Sequence, residues 1–231
     1  MQWEYASEER LAQRNDAYRN LLEGTDAEEV SFAAVREAAP KRVLEVGCGT
    51  GEFAQRVTHE LGAEVVATDL SPRMVSLAQA RELDARVVDV LSLPFADGEF
   101  DCAVANWVLY HVTDVDTAAR ELARVLGPGG RLVAATLGEG NMQEVWHLVG
   151  GAATSGLTFQ AENGEAALRP HFARVERRDA SGTVVFPDAR TLREFVAVTV
   201  TRAHLAARVP AFEGPFRTRS AHVVFVADKA V

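Results

Sequence analysis

Between Arg42 and Thr136 the chain alternates short apolar runs with amphipathic stretches of helical length. The apolar runs Arg42–Val46, Ala63–Thr68, Arg86–Val90, Phe100–Ala105 and Arg131–Thr136 predict strands. The stretches Glu52–Leu61, Pro72–Glu82 and Asp116–Leu126 between them predict helices. Strands that alternate with helices of about 10–15 residues point to an α/β fold, a parallel sheet with helices on both faces.

Outside that region the rhythm differs. Ser7–Leu22 reads as a polar helix with Leu11, Tyr18, Leu21 and Leu22 on one side, ended by Gly24; Asp26 N-caps a second helix that Pro40 closes. After Thr136 the alternation breaks down. Asn141–Val149 predicts a helix, followed by a Gly- and Ala-rich stretch through Gly156. Phe172–Arg178 and Thr183–Phe186 predict β segments, Thr191–Val200 a helix and Ser220–Ala227 a final strand. This distal third is expected to pack on the same sheet, within a single domain.

Candidate chemistry concentrates at the ends of the predicted strands. Val43-Leu44-Glu45-Val46-Gly47-Cys48-Gly49-Thr50-Gly51 runs an apolar strand into three alternate glycines and then a helix. Glycine belongs where backbone turns tightly or approaches a ligand closely, and the helix start behind offers free N–H groups. A dinucleotide loop would place its last glycine where Glu52 stands, so this loop suits a nucleoside without a pyrophosphate. Asp69, at the end of the second strand, is positioned to accept both hydroxyls of a ribose, a feature shared with dinucleotide enzymes. Ser71 and Pro72 open the next helix as N-cap and first residue. Leu70 and Met74 either wall a purine or, for Met74, fill the core. Asp89-Val90 ends the third strand with an acid placed to take an adenine amino group. Leu126-Gly127-Pro128-Gly129-Gly130 is a tight turn into a strand.

Composition narrows the classes. The 231 residues suffice for one sizeable α/β core, and a formal net charge of -9 disfavours nucleic acid or an anionic membrane as partner. Arg174, Arg177 and Arg178 read as a solvated strand edge rather than a basic patch. Cys48 and Cys102 cannot make a disulfide framework, which fits a reduced, cytoplasmic setting. Met1–Tyr5 show neither the charged nor the apolar region of a secretory signal, and no apolar run reaches the roughly 18 residues of a membrane span. No His, Cys, Asp or Glu cluster has metal-ligand spacing.

Taken together, the glycine loop, Asp69, Asp89-Val90 and the Asn106-Trp107-Val108-Leu109-Tyr110-His111 run resemble the class I S-adenosylmethionine-dependent methyltransferases. The resemblance is specifically to the small-molecule branch of quinone-biosynthesis and "type 11" enzymes, close over Pro40–Thr136 and looser toward the ends. The resemblance implies a Rossmann-like, seven-stranded, mostly parallel sheet with an antiparallel last strand, which fits Ser220–Ala227. It implies a helical lid over residues 1–39, a cofactor-binding core over 40–137, and an acceptor-binding insertion with closing strands over 138–231.

The resemblance also implies residue roles. Gly47, Cys48, Gly49 and Gly51 lie under the methionine part of S-adenosylmethionine, and Glu45 steadies the head of the loop. Asp69 binds ribose, Leu70 and Met74 flank adenine, Asp89 and Val90 read its edge, and Asn106 lies near the methionine moiety. Arg14 either reaches the methionine carboxylate or makes a surface ion pair. Trp3, Tyr5 and Tyr18 form part of a lid or pack at the N-terminus.

The implied reaction is transfer of a methyl group to oxygen, nitrogen or carbon of a small-molecule acceptor by in-line displacement, in which alignment supplies much of the rate. His111, beside Tyr110 at the carboxyl edge of the fourth strand, is the base candidate where the acceptor must lose a proton; a packing role is the other reading. His147 and His171 are further candidates to face the acceptor. The run after Asn106 lacks the Pro-Pro-aromatic signature of amino-methylating DNA enzymes. A tRNA or protein acceptor, a non-catalytic S-adenosylmethionine-binding protein and an NAD(P) oxidoreductase are the competing classes. The sequence sets no preference between monomer and homodimer.

Overall fold

The computed structural model describes residues 8–231, with the side chains of residues 8–12 and 200 left aside. In chain order the elements are α1 (Glu8–Leu21), β1 (Leu22–Gly24), α2 (Ala27–Ala38), β2 (Arg42–Val46), α3 (Glu52–Leu61) and β3 (Glu64–Asp69). There follow α4 (Pro72–Ala80), β4 (Asp84–Val87), β5 (Phe100–Val104), the 3-10 turn Leu109–His111, α5 (Val115–Val125), β6 (Leu126–Leu137) and α6 (Gln143–Leu148). The remainder comprises α7 (Gly164–Leu168), β7 (Arg174–Asp179), β8 (Gly182–Phe186), α8 (Ala189–Val198), the 3-10 segment Val200–Arg208, β9 (Phe216–Ser220) and β10 (His222–Asp228).

These elements form two compact units. One takes residues up to Asp26 with Gly138–Ser155 and Ala180–Ala221; the other takes Ala27–Leu137, Gly156–Asp179 and His222–Val231. The second unit holds a seven-stranded sheet in the order β4-β3-β2-β5-β6-β10-β7. Its pairings from β4 through β6 are parallel, and β10 runs antiparallel to both β6 and β7. The sheet core is built from Leu44, Val66, Phe100, Leu122, Leu132 and Phe225, all buried. Strands buried on both faces read as continuous apolar runs, which is why β2, β3 and β5 were plain in the sequence.

Side-chain caps set two helix starts, the first of them as expected. Ser71 caps α4 by accepting the Met74 N–H at 3.4 Å, with Pro72 in the first turn. Asp114 caps α5 through the Thr117 N–H at 3.0 Å. On the edge strand β7, Arg174 pairs with Glu176, Arg177 with Asp179 and Arg178 with Glu37, so no unbalanced basic patch arises there.

Three expectations need correction. The helix Ala27–Ala38 packs on β5, β6 and β10 and belongs with the sheet, so the core begins before residue 40. The distal third does not pack on one sheet. Only Gly156–Asp179 and His222–Val231 join the large sheet, while β8 and β9 form a separate antiparallel sheet with β1 in the order β1-β8-β9. That unit has its own core of Val145, Trp146, Phe186, Leu192, Phe195 and Leu205. The third predicted strand, Arg86–Val90, is displaced to Asp84–Val87, so Asp89 and Val90 lie in the loop beyond it. The expected antiparallel last strand, Ser220–Ala227, is present as β10 at His222–Asp228, while Ser220 itself ends β9 in the smaller sheet.

Tyr18 packs in the core of the first unit and hydrogen-bonds the Ser220 hydroxyl, and burial raises its phenol to about 12. This is packing within its own unit. Trp3 and Tyr5 lie outside the described residues. Among the described residues no helix is long and apolar enough to cross a membrane, and no group of three His, Cys, Asp or Glu could hold a metal ion.

Candidate cofactor and active site

Three strand ends converge at the carboxyl edge of the second unit's sheet. β2 delivers the glycine loop, β3 delivers Asp69 and β5 delivers Asn106. Gly47, Gly49 and Gly51 have φ of 69°, 54° and 83°, the left-handed region open to glycine. A Cβ on Gly47 would meet Val108 Cγ2 at 2.6 Å, whereas one on Gly49 would have nothing within 4 Å. Gly47 is therefore a packing glycine, and Gly49 presents bare backbone to open space.

The loop is tied to β3. The Cys48 N–H donates to the Thr68 carbonyl at 2.9 Å, and the Gly49 N–H donates to Asp69 Oδ2 at 3.0 Å. Asp69 Oδ1 accepts the Ser71 N–H at 2.8 Å. Burial raises the Asp69 carboxyl above its ordinary range against the opposing pull of the Ser71 and Gly49 N–H groups. Asp69 thus holds the loop as well as facing the site. Cys48 is buried; burial, then Glu45 and Asp69, push its thiol well above the ordinary range, so it is a neutral packing group.

Two buried polar atoms beside the loop have no hydrogen-bond partner: Glu45 Oε2 and Asn106 Nδ2. Glu45 is only 4 % exposed. Its carboxyl is raised to about 8 by burial first and then by the charges of Glu28 and Asp69, with the Ala54 N–H opposing. β2 and β5 are hydrogen-bonded neighbours with Glu45 opposite Val104, which brings Asn106 near the same edge. Ser31 on α2 donates its hydroxyl to Asn106 Oδ1 at 3.1 Å and so turns the amide's N–H groups away from α2. An unmet carboxyl oxygen and an unmet amide N–H on neighbouring strands at one sheet edge suit an ammonium and a carboxylate, the two ends of an amino acid.

Leu70 and Val87 are 62 % and 52 % exposed, large apolar side chains at the carboxyl ends of β3 and β4. Val87 stands opposite Asp69 in register. Asp89 is exposed and turns the loop by accepting the Leu91 N–H at 2.9 Å, with Val90 half-buried after it. Met74 is fully buried on α4, so its side chain fills the core and does not wall a purine. Val87, without a signal in the sequence, is the exposed apolar side chain that stands at this edge with Leu70.

Beyond Asn106 the backbone turns sharply. Trp107 has φ 54°, a conformation costly for a bulky residue, and its N–H donates to the Ala135 carbonyl at 2.9 Å. Its indole meets the His222 ring edge-on with centroids 6.2 Å apart. Tyr110 and His111 follow on the 3-10 turn with ring centroids 4.3 Å apart, and Thr158 Oγ1 donates to the Tyr110 carbonyl at 3.1 Å. His171 lies elsewhere: its Nε2 is 2.8 Å from Asp116 Oδ1 on α5. His147 sits on α6 and Arg14 on α1, both in the first unit, where Arg14 Nη2 donates to Asn15 Oδ1 at 3.4 Å. Ser31 carries no motif signal; only the fold brings it here.

Known proteins share this arrangement. The family described as "Methyltransferase domain" matches residues 44–134, the stretch from β2 to β6. Demethylmenaquinone methyltransferase of Thermus thermophilus is 43% identical over 104 residues, 42% of this chain and 47% of that protein. Malonyl-[acyl-carrier protein] O-methyltransferase of Pseudescherichia vulneris is 35% identical over 138 residues, 59% of this chain and 54% of that protein. The chain spans about half the length of these curated relatives. The solved structure of the [4+2]-cyclase SpnF has a TM-score of 0.64 at 24% identity, covering 90% of this chain and 87% of that one, a likeness of fold. Sheet order, glycine loop and strand-end acids define a Rossmann-like methyltransferase fold. Residues 44–134 form a class I S-adenosylmethionine-dependent methyltransferase domain, and the family's cofactor is S-adenosylmethionine.

Proposed function

We propose that this protein transfers the methyl group of S-adenosylmethionine to an oxygen, nitrogen or carbon atom of a small-molecule acceptor. The observation that carries the reading is the pair of unmet buried atoms, Glu45 Oε2 and Asn106 Nδ2, beside the bare backbone of Gly49. Glu45 takes the ammonium and Asn106 the carboxylate of the methionine part, with Gly47, Cys48, Gly49 and Gly51 beneath it. Asp69 keeps lone pairs for the ribose hydroxyls while its two oxygens hold the Gly49 and Ser71 N–H groups. Leu70 and Val87 give the adenine apolar contact, and Asp89 and Val90 meet its edge.

When bound, the cofactor would supply a methyl group on a cationic sulfonium, whose S–CH3 bond breaks to leave a neutral thioether. The chain's own work is to orient the acceptor and exclude water. The strained Trp107 turn fixes where Tyr110 and His111 stand. His111 takes the proton of acceptors that must lose one, and Tyr110 holds the imidazole through ring contact. Incubation with methyl-labelled S-adenosylmethionine and a panel of phenols, amines and carboxylic acids tests the reading. Label should pass to a member of the panel. Tight cofactor binding with no transfer to any acceptor would favour the second reading, a cofactor-binding or cyclising protein, which the fold likeness to a cyclase keeps open.

A further inference from the structure

In the first unit, the 3-10 segment Val200–Arg208 spaces Arg202, Leu205 and Arg208 three residues apart, so their side chains eclipse on one face. That face lies along the turn that ends α6. The Arg202 guanidinium carbon stands 4.1 Å from the centroid of the Trp146 ring. A Cβ on Gly151 would meet Leu205 Cδ1 at 3.1 Å, and one on Gly150 would meet Arg208 Nη1 at 3.5 Å. Trp146 is itself fixed, 5% exposed, with Nε1–H donating to the Asn141 carbonyl at 3.2 Å.

Arg202 differs from the carboxylate-paired arginines of this chain. Arg56 pairs with Glu29, Arg124 with Glu121 and Arg178 with Glu37. Arg202 is half-buried, has no carboxylate partner among the described residues, and its Nη1 is buried with no hydrogen-bond partner. Burial without a counter-charge draws the guanidinium below its ordinary range. The Trp146 face attracts the cation but accepts none of its in-plane N–H bonds. What this half-buried guanidinium lacks is an acceptor for its buried Nη1, and an oxyanion would supply both the acceptor and the counter-charge.

We propose that Arg202, stacked on Trp146 beside the Gly150–Gly151 turn, anchors a site for the oxyanion of a small molecule, a carboxylate or a phosphate. The planar fork of arginine matches two oxygens of one such group, and Arg208 on the same face adds positive potential. The site lies within one unit and does not depend on methyl transfer.

The test titrates acetate, and separately inorganic phosphate, into the full chain, with sodium chloride at matched ionic strength as control. Thermal unfolding and tryptophan fluorescence are read in wild type, Arg202→Met and Arg202→Lys. Methionine keeps an apolar stem against Trp146 without the charge; lysine keeps the charge without the fork. Wild type should show a saturable stabilisation absent in chloride, reaching about an elevenfold larger folded-to-unfolded ratio at ten times the dissociation constant. Arg202→Met should not respond and should be at least as stable as wild type in oxyanion-free buffer. Arg202→Lys should bind at least tenfold more weakly. The tighter of acetate and phosphate identifies the group. An equal response in Arg202→Met, no response in wild type beyond that to chloride, or an Arg202→Met protein less stable than wild type without oxyanion would overturn the proposal. If Arg202→Met does not fold, unweakened binding by Arg202→Lys overturns it.

Discussion

Gly47 lies directly against Val108: a Cβ on the glycine would stand 2.6 Å from Val108 Cγ2. The cofactor loop after β2 and the turn after β5 that carries Trp107, Tyr110 and His111 are thus one packed piece. Gly47→Ala introduces both a clash and a left-handed alanine, and should cost about 2–4 kcal/mol in urea unfolding. Gly49→Ala, with nothing near its Cβ, should cost only about 1 kcal/mol but weaken S-adenosylmethionine binding more than tenfold. Equal stability losses in the two variants would contradict the distinction.

Asp69 does structural work that a strand-end motif does not reveal. Its two oxygens hold the N–H groups of Gly49 and Ser71. Asp69→Ala should therefore reduce stability by about 2–3 kcal/mol, roughly 1 kcal/mol or more for each bond lost, as well as cofactor affinity. Asp69→Asn keeps one acceptor oxygen and should lose less stability while still binding the cofactor poorly. Calorimetric binding beside chemical denaturation separates the two effects; an Asp69→Ala protein as stable as wild type would remove the loop-holding role.

The buried Glu45 carboxyl titrates at about 8 in the folded chain against an ordinary 4.5, because of burial and then the charges of Glu28 and Asp69. Between these values the folded chain keeps a proton that the unfolded chain has lost. The stability this group contributes is full below about pH 4.5 and is lost as pH rises through about 8. Its slope approaches about 1.4 kcal/mol per pH unit. Glu45→Gln, which cannot ionise, should flatten that decline. A pH–stability profile unchanged by the substitution would place the titration elsewhere.

Trp107 holds a backbone conformation, φ 54°, that glycine adopts freely. Trp107→Gly should recover about 1 kcal/mol of backbone strain, set against the loss of the indole's contact with His222. In the methyl-transfer assay it should raise the acceptor KM and leave cofactor affinity near wild type. A large fall in cofactor affinity with an unaltered acceptor KM would reverse the assignment.

Much of the fold was legible because β2, β3, β5 and β6 are central strands whose buried faces leave continuous apolar runs. The edges were not. β4 is Asp84-Ala85-Arg86-Val87 with only Ala85 buried, so the apolar run that follows it drew the predicted strand downstream. β9, Phe216-Arg217-Thr218-Arg219-Ser220, reads as polar because alternate residues face solvent. The glycine loop and Asp69 are local in sequence and could be found there. The pairing of Ser31 with Asn106, the orphaned atoms of Glu45 and Asn106, and the stack of Arg202 on Trp146 join distant segments, and no spacing rule announces them. Met74 shows the converse: a motif position whose side chain the packing of α4 withdraws from the site.

The most direct measurement is calorimetric titration of the purified protein with S-adenosylmethionine, S-adenosylhomocysteine and NAD, repeated in Asn106→Ala. Micromolar binding of the first two, none of NAD, and a clear loss of affinity in Asn106→Ala are the predicted result. Binding of NAD, or failure to bind any of the three, would contradict the assignment of the glycine loop and its orphaned partners to this cofactor.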